Sequence, residues 1–512
     1  MKRIFKFILI AAVLGGTAVS CSDYLDINDP KNDPTLDQVS PDLILAGALT
    51  RTYATQAVSM NQLGNVFMNN WGANVNAFTG GFNEEYQLII TSTFYNNIWD
   101  QLYVRMANFQ SMIDSPAEGY DNHQAIAKIM KSFYMQYIVD LYGDAPYSMA
   151  FNGGEGTTPM YDDDAEIYRQ LIVEIDEALE MINAAGETVN TVGAEDIVYG
   201  GDMQSWITFA NTLKLRILIR QSELAETDGE TASYLTSQFA SLQGASFITS
   251  NATINPGYAN DSGRQNPFFG AFGYNVDGSR TTTNRFVVAS LYAESFLDGS
   301  INGVQDPRIS RLYSPVAGEV QGVEQGIDSN DPSVPASISP LGPGLIKSDS
   351  QDGILFSAAS SYFLQSEAVV RGYLTGDAKG LFENGIRASF AYLEIPSEVD
   401  DLAVEDPSLD EESYIAAANA VDGLGWDASS NKIEAIMTQK WLALNGINAI
   451  ESWIEYTRTG YPEIPLAVNA QRDSKPNRLL YPSSEYIANS ANVPTQQSAD
   501  AFNTSVFWDV QN

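Results

Sequence analysis

The stretch SYFLQSEAVVRGYLTGDAKGLFENGIRASFAYL, residues 361–393, predicts two helices joined by a tight turn. The first helix is predicted from Tyr362 to Leu374 and ends at Gly376, a residue type that commonly terminates helices. Asp377 follows as a predicted N-cap, and the second helix runs from Ala378 to about Tyr392. Because the connection is so short, the two helices are expected to form an antiparallel hairpin.

A second hairpin is predicted near the C-terminus, from Lys432 to Asn445 and from Ile447 to Tyr456 around Gly446. Two-helix units of this kind cannot bury an apolar face alone, so they are expected to stack on one another as tetratricopeptide repeats do. The sequence nevertheless shows no regular repeat of about 34 residues.

Apolar residues at helical spacing predict a larger helical body around these hairpins. One helix covers residues 124–141 and stops at Gly143, and another begins after the three acids 162–164. A third carries Trp206 and continues to Arg220, and residues 41–58 are also helical in pattern.

The N-terminus has the pattern of a secretory signal peptide: basic residues, a short apolar core and small residues ahead of Cys21. The apolar run is shorter than the roughly 20 residues that a membrane-spanning helix needs. Cys21 is the only cysteine, so it has no disulfide partner in the chain. We expect residues 1–20 to be removed and Cys21 to be acylated, with an unmodified free cysteine as the alternative. Residues 21–40 would then be a lipid-anchored tether and 41–512 the folded body.

Acidic residues dominate the composition, with 64 Asp and Glu against 27 Lys and Arg and a formal charge of −37. A body of this charge repels phosphate backbones, so nucleic acid is not expected as a partner. Asp26, Asn28, Asp29 and Asp33 are oxygen ligands of the type that calcium prefers, but they lack the spacing of an EF-hand loop. We therefore interpret them as part of a solvated linker and assign no metal site and no cofactor.

Two regions are rich in turn residues and aromatic rings. Residues 61–97 fit neither helical nor strand periodicity and are expected to form an irregular surface segment. Residues 246–353 are rich in Gly, Asn, Pro, Ser and Thr, with one helix-like piece from Arg285 to Leu297 and an aromatic cluster at 266–274. Long loops with aromatic and amide side chains often bind ligands, so a loop-rich lobe with the ligand site is predicted here.

The predicted ligand contacts come from these two regions. Rings would stack on the apolar faces of sugars, and amide or guanidinium groups would bind hydroxyls. The alternative for any single ring is that it only pins a loop to the body. The candidates are Trp71, Tyr86, Tyr95, Asn266, Tyr274 and Arg285.

Short motifs in a fixed order along nearly the whole chain resemble the SusD/RagB family of Bacteroidetes outer-membrane lipoproteins. Each motif alone is weak, but together they are specific. They are Cys21–Asp26, Asp140–Tyr147, Trp206, Asn211–Arg216, Asp306–Arg308, Ser366–Ala368, Arg371 with Gly372, Gln439–Trp441, Trp453, Arg458–Pro462, Arg478–Pro482, Glu485, and Trp508 with Asp509.

The resemblance implies an all-α fold in which tetratricopeptide-like helix pairs form a scaffold and an irregular lobe binds the ligand. It also implies a cell-surface lipoprotein that captures oligosaccharides and passes them to a SusC-like TonB-dependent transporter in the outer membrane. Two alternatives remain open: a peptide-binding member of the same family, and a surface glycan hydrolase.

The sequence gives little support for catalysis. His123 is the sole histidine and is expected to be a solvated residue at a helix start, so a His-rich zinc site cannot be assembled within the chain. Cys21, the sole cysteine, is expected to carry lipid, which excludes a catalytic Cys–His pair. A glycosidase needs two carboxyls flanking a sugar cleft, and 64 acidic residues make chance pairs inevitable. We therefore predict a binding protein rather than an enzyme.

Overall fold

The computed structural model describes residues 39–152, 157–186 and 188–511. The predicted signal peptide, the predicted acylation site Cys21, the linker acids and most of the predicted tether lie outside this range. Helices account for 48% of the structure and strands for 5%, which defines an all-α fold.

The helices and short strands follow one another in the chain as given in this paragraph. In the first half they are α1 Pro41–Thr55, continued by a π-helical turn Gln56–Met60, α2 Asn61–Phe67, β1 Trp71–Ala73, α3 Asn83–Gln87, α4 Asn96–Ile113, α5 Asp121–Tyr142, α6 Asp164–Ala184, α7 Met203–Arg220, α8 Gly229–Ala240 and β2 Ala252–Ile254. In the second half they are α9 Pro267–Phe272, α10 Thr282–Phe286, β3 Val287–Ala289, α11 Leu291–Leu297, α12 Ile309–Leu312, β4 Gly353–Phe356, α13 Ala358–Val370, α14 Ala378–Glu394, α15 Glu411–Ala418, α16 Lys432–Leu444, α17 Ala449–Thr459, α18 Ser483–Ala488 and α19 Asp500–Asn503.

The long helices form a continuous stack of neighbouring pairs. Helix α1 packs on α4, α4 on α5, α5 on α6 and α6 on α7, and α7 then contacts α13. The hairpin α13–α14 packs on α16, and α16 packs on α17. The scaffold is therefore built from helix pairs, as predicted.

The α13–α14 hairpin shows where the sequence prediction was accurate. The Asp377 side chain accepts a hydrogen bond from the backbone N–H of Gly380, so the predicted N-cap of α14 is confirmed. Helix α13 begins earlier than predicted, because Ser357 caps its N-terminus by accepting a hydrogen bond from the N–H of Ser360. The helix also ends earlier, at Val370. The polar turn 371–377 is correspondingly longer.

Buried ion pairs link the scaffold helices. Arg220 on α7 contacts carboxylates of Asp140 on α5, at 3.3 Å, and of Glu451 and Glu455 on α17, at 2.6 and 2.9 Å. Arg458 contacts Glu367 on α13 at 2.8 Å. These charges are fully buried, and each has opposite charges beside it, as buried ions require.

Two short antiparallel sheets stand beside the helices. Strand β1 pairs with β3, with Trp71 opposite Ala289, and β2 pairs with β4. The predicted helical piece from Arg285 to Leu297 is wrong as a single element, because strand β3 separates α10 from α11. None of the helices in the described part of the chain combines the length and the hydropathy that crossing a membrane requires.

The prediction that residues 61–97 form an irregular surface segment is wrong for its first part. Asn61–Phe67 is a helix, and its asparagines are buried because they bind the backbone of the turn between α16 and α17. Asn61 donates to the carbonyl of Gly446 at 2.9 Å and accepts from the N–H of Ala449 at 3.1 Å. The predicted solvent exposure of His123 is also wrong: the ring is fully buried, and its Nε2 lies 3.0 Å from a carboxylate oxygen of Glu195.

Candidate ligand-binding cleft

A cleft opens in the loop-rich lobe beside the β1–β3 sheet. Strand β1 runs directly into the loop 74–78, which is held to α10 by the backbone N–H of Asn74 donating to the carbonyl of Phe286 at 2.8 Å. The side chain of Asn76 donates to the carbonyl of Pro335 at 2.8 Å. The loop is therefore tied at two points to segments that are distant in sequence, which fixes one wall of the cleft.

The cleft has a volume of about 580 Å³. Its walls come from five separate segments, so only the folded chain brings them together. The lining residues are Asn74, Ala77, Phe78, Arg280, Asn284, Arg285, Val288, Ser314, Pro315, Val316, Ile338, Pro340, Asp401 and Leu402.

An aromatic ring and two cations give the cleft its chemistry. Phe78 is half-buried, and its ring packs edge-on against Phe286 at a centroid distance of 5.4 Å. Arg280 is partly exposed and donates to Asp401 at 3.2 Å. Arg285 is exposed, and its guanidinium has no hydrogen bond or ion pair with any residue in the described ranges.

Asp401 is held in place by two donors. The hydroxyl of Tyr274 donates to it at 2.9 Å, and Arg280 donates to the same oxygen. Burial alone would raise the pKa of Asp401, but these two hydrogen bonds outweigh burial and lower it, so the carboxyl is ionised at neutral pH. Burial, together with this hydrogen bond, raises the pKa of Tyr274 to about 12, so Tyr274 remains a donor.

Two carboxamide oxygens at the cleft are left without a hydrogen bond. The Nδ2 atoms of Asn74 and Asn284 donate to the carbonyls of Arg285 and Phe272, at 3.1 and 2.6 Å. Their Oδ1 atoms have no donor among the described residues. Both oxygens have almost no solvent-accessible surface, so they can take up a donor only if the side chains shift.

The predicted contacts Trp71 and Tyr86 lie behind the cleft wall rather than in it. Trp71 is fully buried with its ring 5.0 Å from that of Phe272, and Tyr86 is 4% exposed with its hydroxyl accepting from the N–H of Ala73 at 3.0 Å. Stacking on a sugar needs an accessible ring face, and neither ring has one in this structure, so the predicted stacking contacts of Trp71 and Tyr86 are corrected. They anchor strand β1, from which the cleft loop emerges.

The other four predicted residues are divided between interior and cleft. Tyr95 bridges Gln62 and Glu85 at 2.7 and 2.9 Å, away from the cleft residues. Asn266 is fully buried as the N-cap of α9, where its Oδ1 accepts from the N–H groups of Phe268 and Phe269.

Of the six predicted contacts, Tyr274 and Arg285 lie at or beside the cleft. Tyr274 is only 6% exposed and acts through Asp401. Arg285 alone among the six predicted contacts both lines the cleft and is exposed.

Sequence reasoning missed several lining residues, chiefly Asn74, Arg280, Asn284 and Asp401. Arg280 was detectable in principle, because it lies five positions before the predicted Arg285 in a chain with few basic residues. Asp401 was not, since it lies more than a hundred positions from Arg280 and meets it only through the fold.

Two acidic places on the surface are less suited to binding a sugar. A groove of about 690 Å³ near α6 is lined by acids such as Glu177 and Glu180 without an aromatic ring. Asp144, Asp163 and Asp164 lie close enough to share an ion, but Asp163 and Asp144 already accept hydrogen bonds from the N-terminus of α6. We assign no ligand to either place.

The paired helices and the loop-rich lobe define the class of this protein as an all-α, tetratricopeptide-like scaffold protein. Comparison with known proteins is consistent with this architecture. A family described as "Starch-binding associating with outer membrane" matches residues 31–482. The chain belongs to this SusD-like family. Comparison with curated proteins gives no significant match.

Solved structures show the same fold at low sequence identity. A chitin-binding SusD homologue from Flavobacterium johnsoniae is 24% identical, with a TM-score of 0.71, over 91% of this chain and 99% of that one. A SusD/RagB family protein from Bacteroides thetaiotaomicron is 22% identical, with a TM-score of 0.69, over 93% of this chain and 100% of that one. A SusD homologue from Bacteroides fragilis is 20% identical, with a TM-score of 0.69 and the same coverage.

Proposed function

We propose that this chain is a surface lipoprotein that captures oligosaccharides in the cleft of its loop-rich lobe. In this proposal Cys21 carries the lipid that holds the protein to the outer membrane. A SusC-like TonB-dependent transporter beneath it receives the captured oligosaccharide. The protein itself binds its ligand without cleaving it.

The observation that carries the proposal is the composition of the cleft. Phe78 offers part of a ring face, and Arg285 offers an exposed guanidinium without a hydrogen-bond partner among the described residues. A sugar presents apolar C–H faces and hydroxyl oxygens that accept hydrogen bonds, so it can contact the ring and the guanidinium together. The volume of about 580 Å³ is in the range of small-molecule sites and would hold a few sugar units.

Family membership supports the choice of carbohydrate over other ligands. The family description names starch binding, and one structural neighbour is a chitin-binding protein. These two saccharides differ, so they support a carbohydrate ligand without choosing the sugar.

The acids of the cleft favour binding over hydrolysis. Among the described residues that line it, Asp401 is the single carboxylate. Glycoside hydrolysis ordinarily needs two carboxyls facing each other across the scissile bond. Asp401 is also held by Tyr274 and Arg280, and its lowered pKa makes it a poor general acid.

A binding screen with product analysis tests the proposal. The chain from residue 22 onward, which keeps every described residue, is run on affinity gels and on glycan and peptide arrays, and any bound polymer is examined for shortened products. Retention of one glycan class without cleavage is expected. Retention of peptides alone would show that the ligand is a peptide rather than a carbohydrate. Shortened products would show that the protein is a hydrolase.

A further inference from the structure

The cleft differs from the rest of the molecule in the sign of its charge. The chain carries a formal charge of −37, and many of its basic side chains have an acidic partner. Buried examples are Arg308 with Asp306 at 2.6 Å and Lys440 with Glu455 at 2.7 Å, and an exposed one is Arg387 with Glu412 at 2.6 Å.

Arg285 does not follow this pattern. It is exposed at the cleft, and its guanidinium lacks an acidic partner within the described ranges, although the chain has 64 acidic residues. Arg280 is balanced by Asp401, the only acid among the described lining residues. The lining therefore carries one unbalanced positive charge, and Arg285 provides it.

The two asparagines that line the cleft beside Arg285 are neutral. Asn284 is 2% exposed, and its Oδ1 has no donor in the described part of the chain. The same is true of the Oδ1 of Asn74, whose Nδ2 donates to the backbone carbonyl of Arg285. Both oxygens are buried, so neither presents a competing acceptor on the cleft surface beside the guanidinium.

A guanidinium presents two parallel N–H groups that match the two oxygens of a carboxylate or a sulfate. We infer that the cleft binds an acidic oligosaccharide, with a carboxylate or sulfate group placed against Arg285. This inference rests on the proposed function, because it specifies the ligand of the same cleft. The acidic body makes long-range attraction of such a ligand unfavourable, so its recognition depends on the local charge.

The test compares charged and uncharged forms of the same glycan. Oligogalacturonate and its methyl ester probe a carboxylate, and a carrageenan oligosaccharide and its desulfated form probe a sulfate, alongside neutral malto- and chito-oligosaccharides. Binding is measured by calorimetry with the wild-type chain and with Arg285→Gln and Arg285→Lys. Arg472→Gln is the matched control, because Arg472 is also exposed but lies against Phe502 away from the cleft.

We expect at least one acidic glycan to bind, with at least a tenfold loss when its charge is masked or when Arg285 becomes Gln. Arg285→Lys should restore part of the affinity, and Arg472→Gln should leave it unchanged. Which charged form binds decides between carboxylate and sulfate. Equal binding of charged and uncharged forms, binding of neutral glycans only, or no effect of Arg285→Gln would overturn the inference while leaving the proposed function in place. Failure of every glycan to bind would instead contradict the proposed function.

Discussion

Phe78 and Trp71 lie on opposite sides of one cleft wall, and their substitution should separate binding from folding. Phe78→Ala removes a half-buried ring that faces the cleft, so we expect a loss of about 2 kcal/mol or more in ligand binding with the fold retained. Trp71→Ala removes a fully buried ring, and we expect about 3–5 kcal/mol of lost unfolding free energy. Denaturant unfolding and calorimetry on both variants measure the two effects.

The comparison is informative because each variant controls for the other. If the Phe78→Ala protein binds the ligand as tightly as the wild type, the ring of Phe78 does not contribute to binding. A Trp71→Ala protein of unchanged stability would contradict its place in the core.

The same pair shows how far a sequence can identify binding residues. Aromatic rings among Asn and Gly pointed to the segment 61–97, which contributes Asn74 and Phe78 to the proposed cleft. They did not reveal which rings face solvent, because Trp71 and Phe78 occur in equally polar surroundings in the sequence. Burial of Trp71 depends on Phe272, a residue two hundred positions away, and no local pattern carries that information.

At the scale of elements, helix ends that depend on neighbouring residues were predicted well. Elements that depend on tertiary contacts were predicted poorly. The N-cap at Asp377 and the helix end at Gly143 could be predicted from the sequence, because capping depends on neighbouring residues only. Helix α2 was missed because its asparagines resemble a loop in sequence. Their side chains instead bind the backbone of the α16–α17 turn, as Asn65 does in accepting from the N–H of Gly446 at 2.9 Å.

The crossing of α2 and α17 leads to a prediction about Gly64. A Cβ at this position would lie 2.1 Å from the backbone carbonyl carbon of Ala449, so the two helices could not keep their separation. We expect Gly64→Ala to destabilise the protein by about 1–3 kcal/mol, the usual cost of overpacking. Urea unfolding measures it.

Gly47 on α1 is the matched control, because it is also helical, is exposed and has no neighbouring atom within 4 Å of the place that a Cβ would occupy. Gly47→Ala should stabilise by about 0.4–1 kcal/mol, since it only reduces the entropy of the unfolded chain. Equal effects of the two substitutions would mean that α2 and α17 are less closely packed than the structure shows.

At the scale of the whole molecule, two sets of carboxyl groups respond to pH in opposite directions. Burial would raise the pKa of Glu367 and Glu455, but Arg458 and its neighbouring cations outweigh it, so both pKa values are lowered. The stability that these pairs contribute is present above the ordinary glutamate pKa and is lost as the pH falls through the lower folded value. Asp164 behaves in the opposite way, because burial, with Asp144 and Asp163 nearby, raises its pKa to about 6.

Folding therefore takes up a proton at Asp164 between about pH 4 and 6, and the stability from this group is lost as the pH rises through about 6. Protonation of exposed acids also relieves the repulsion within a chain of charge −37 as the pH falls. Both effects act before the Glu367 and Glu455 pairs begin to protonate. We expect the melting temperature to rise from pH 7 to pH 5 and to fall again below about pH 4, when the buried pairs lose their charge.

Thermal unfolding at constant ionic strength across this range measures the profile, and Asp164→Asn isolates one contribution. The asparagine keeps an acceptor for the N–H of Phe507, which lies 2.9 Å from Asp164, but cannot titrate. The rise between pH 7 and pH 5 should therefore become smaller in this variant, while the fall at acid pH should persist because the Arg458 pairs are intact. A wild-type melting temperature that decreases steadily from pH 7 downward would show that the buried pairs, rather than Asp164 and the surface acids, control stability over the whole range.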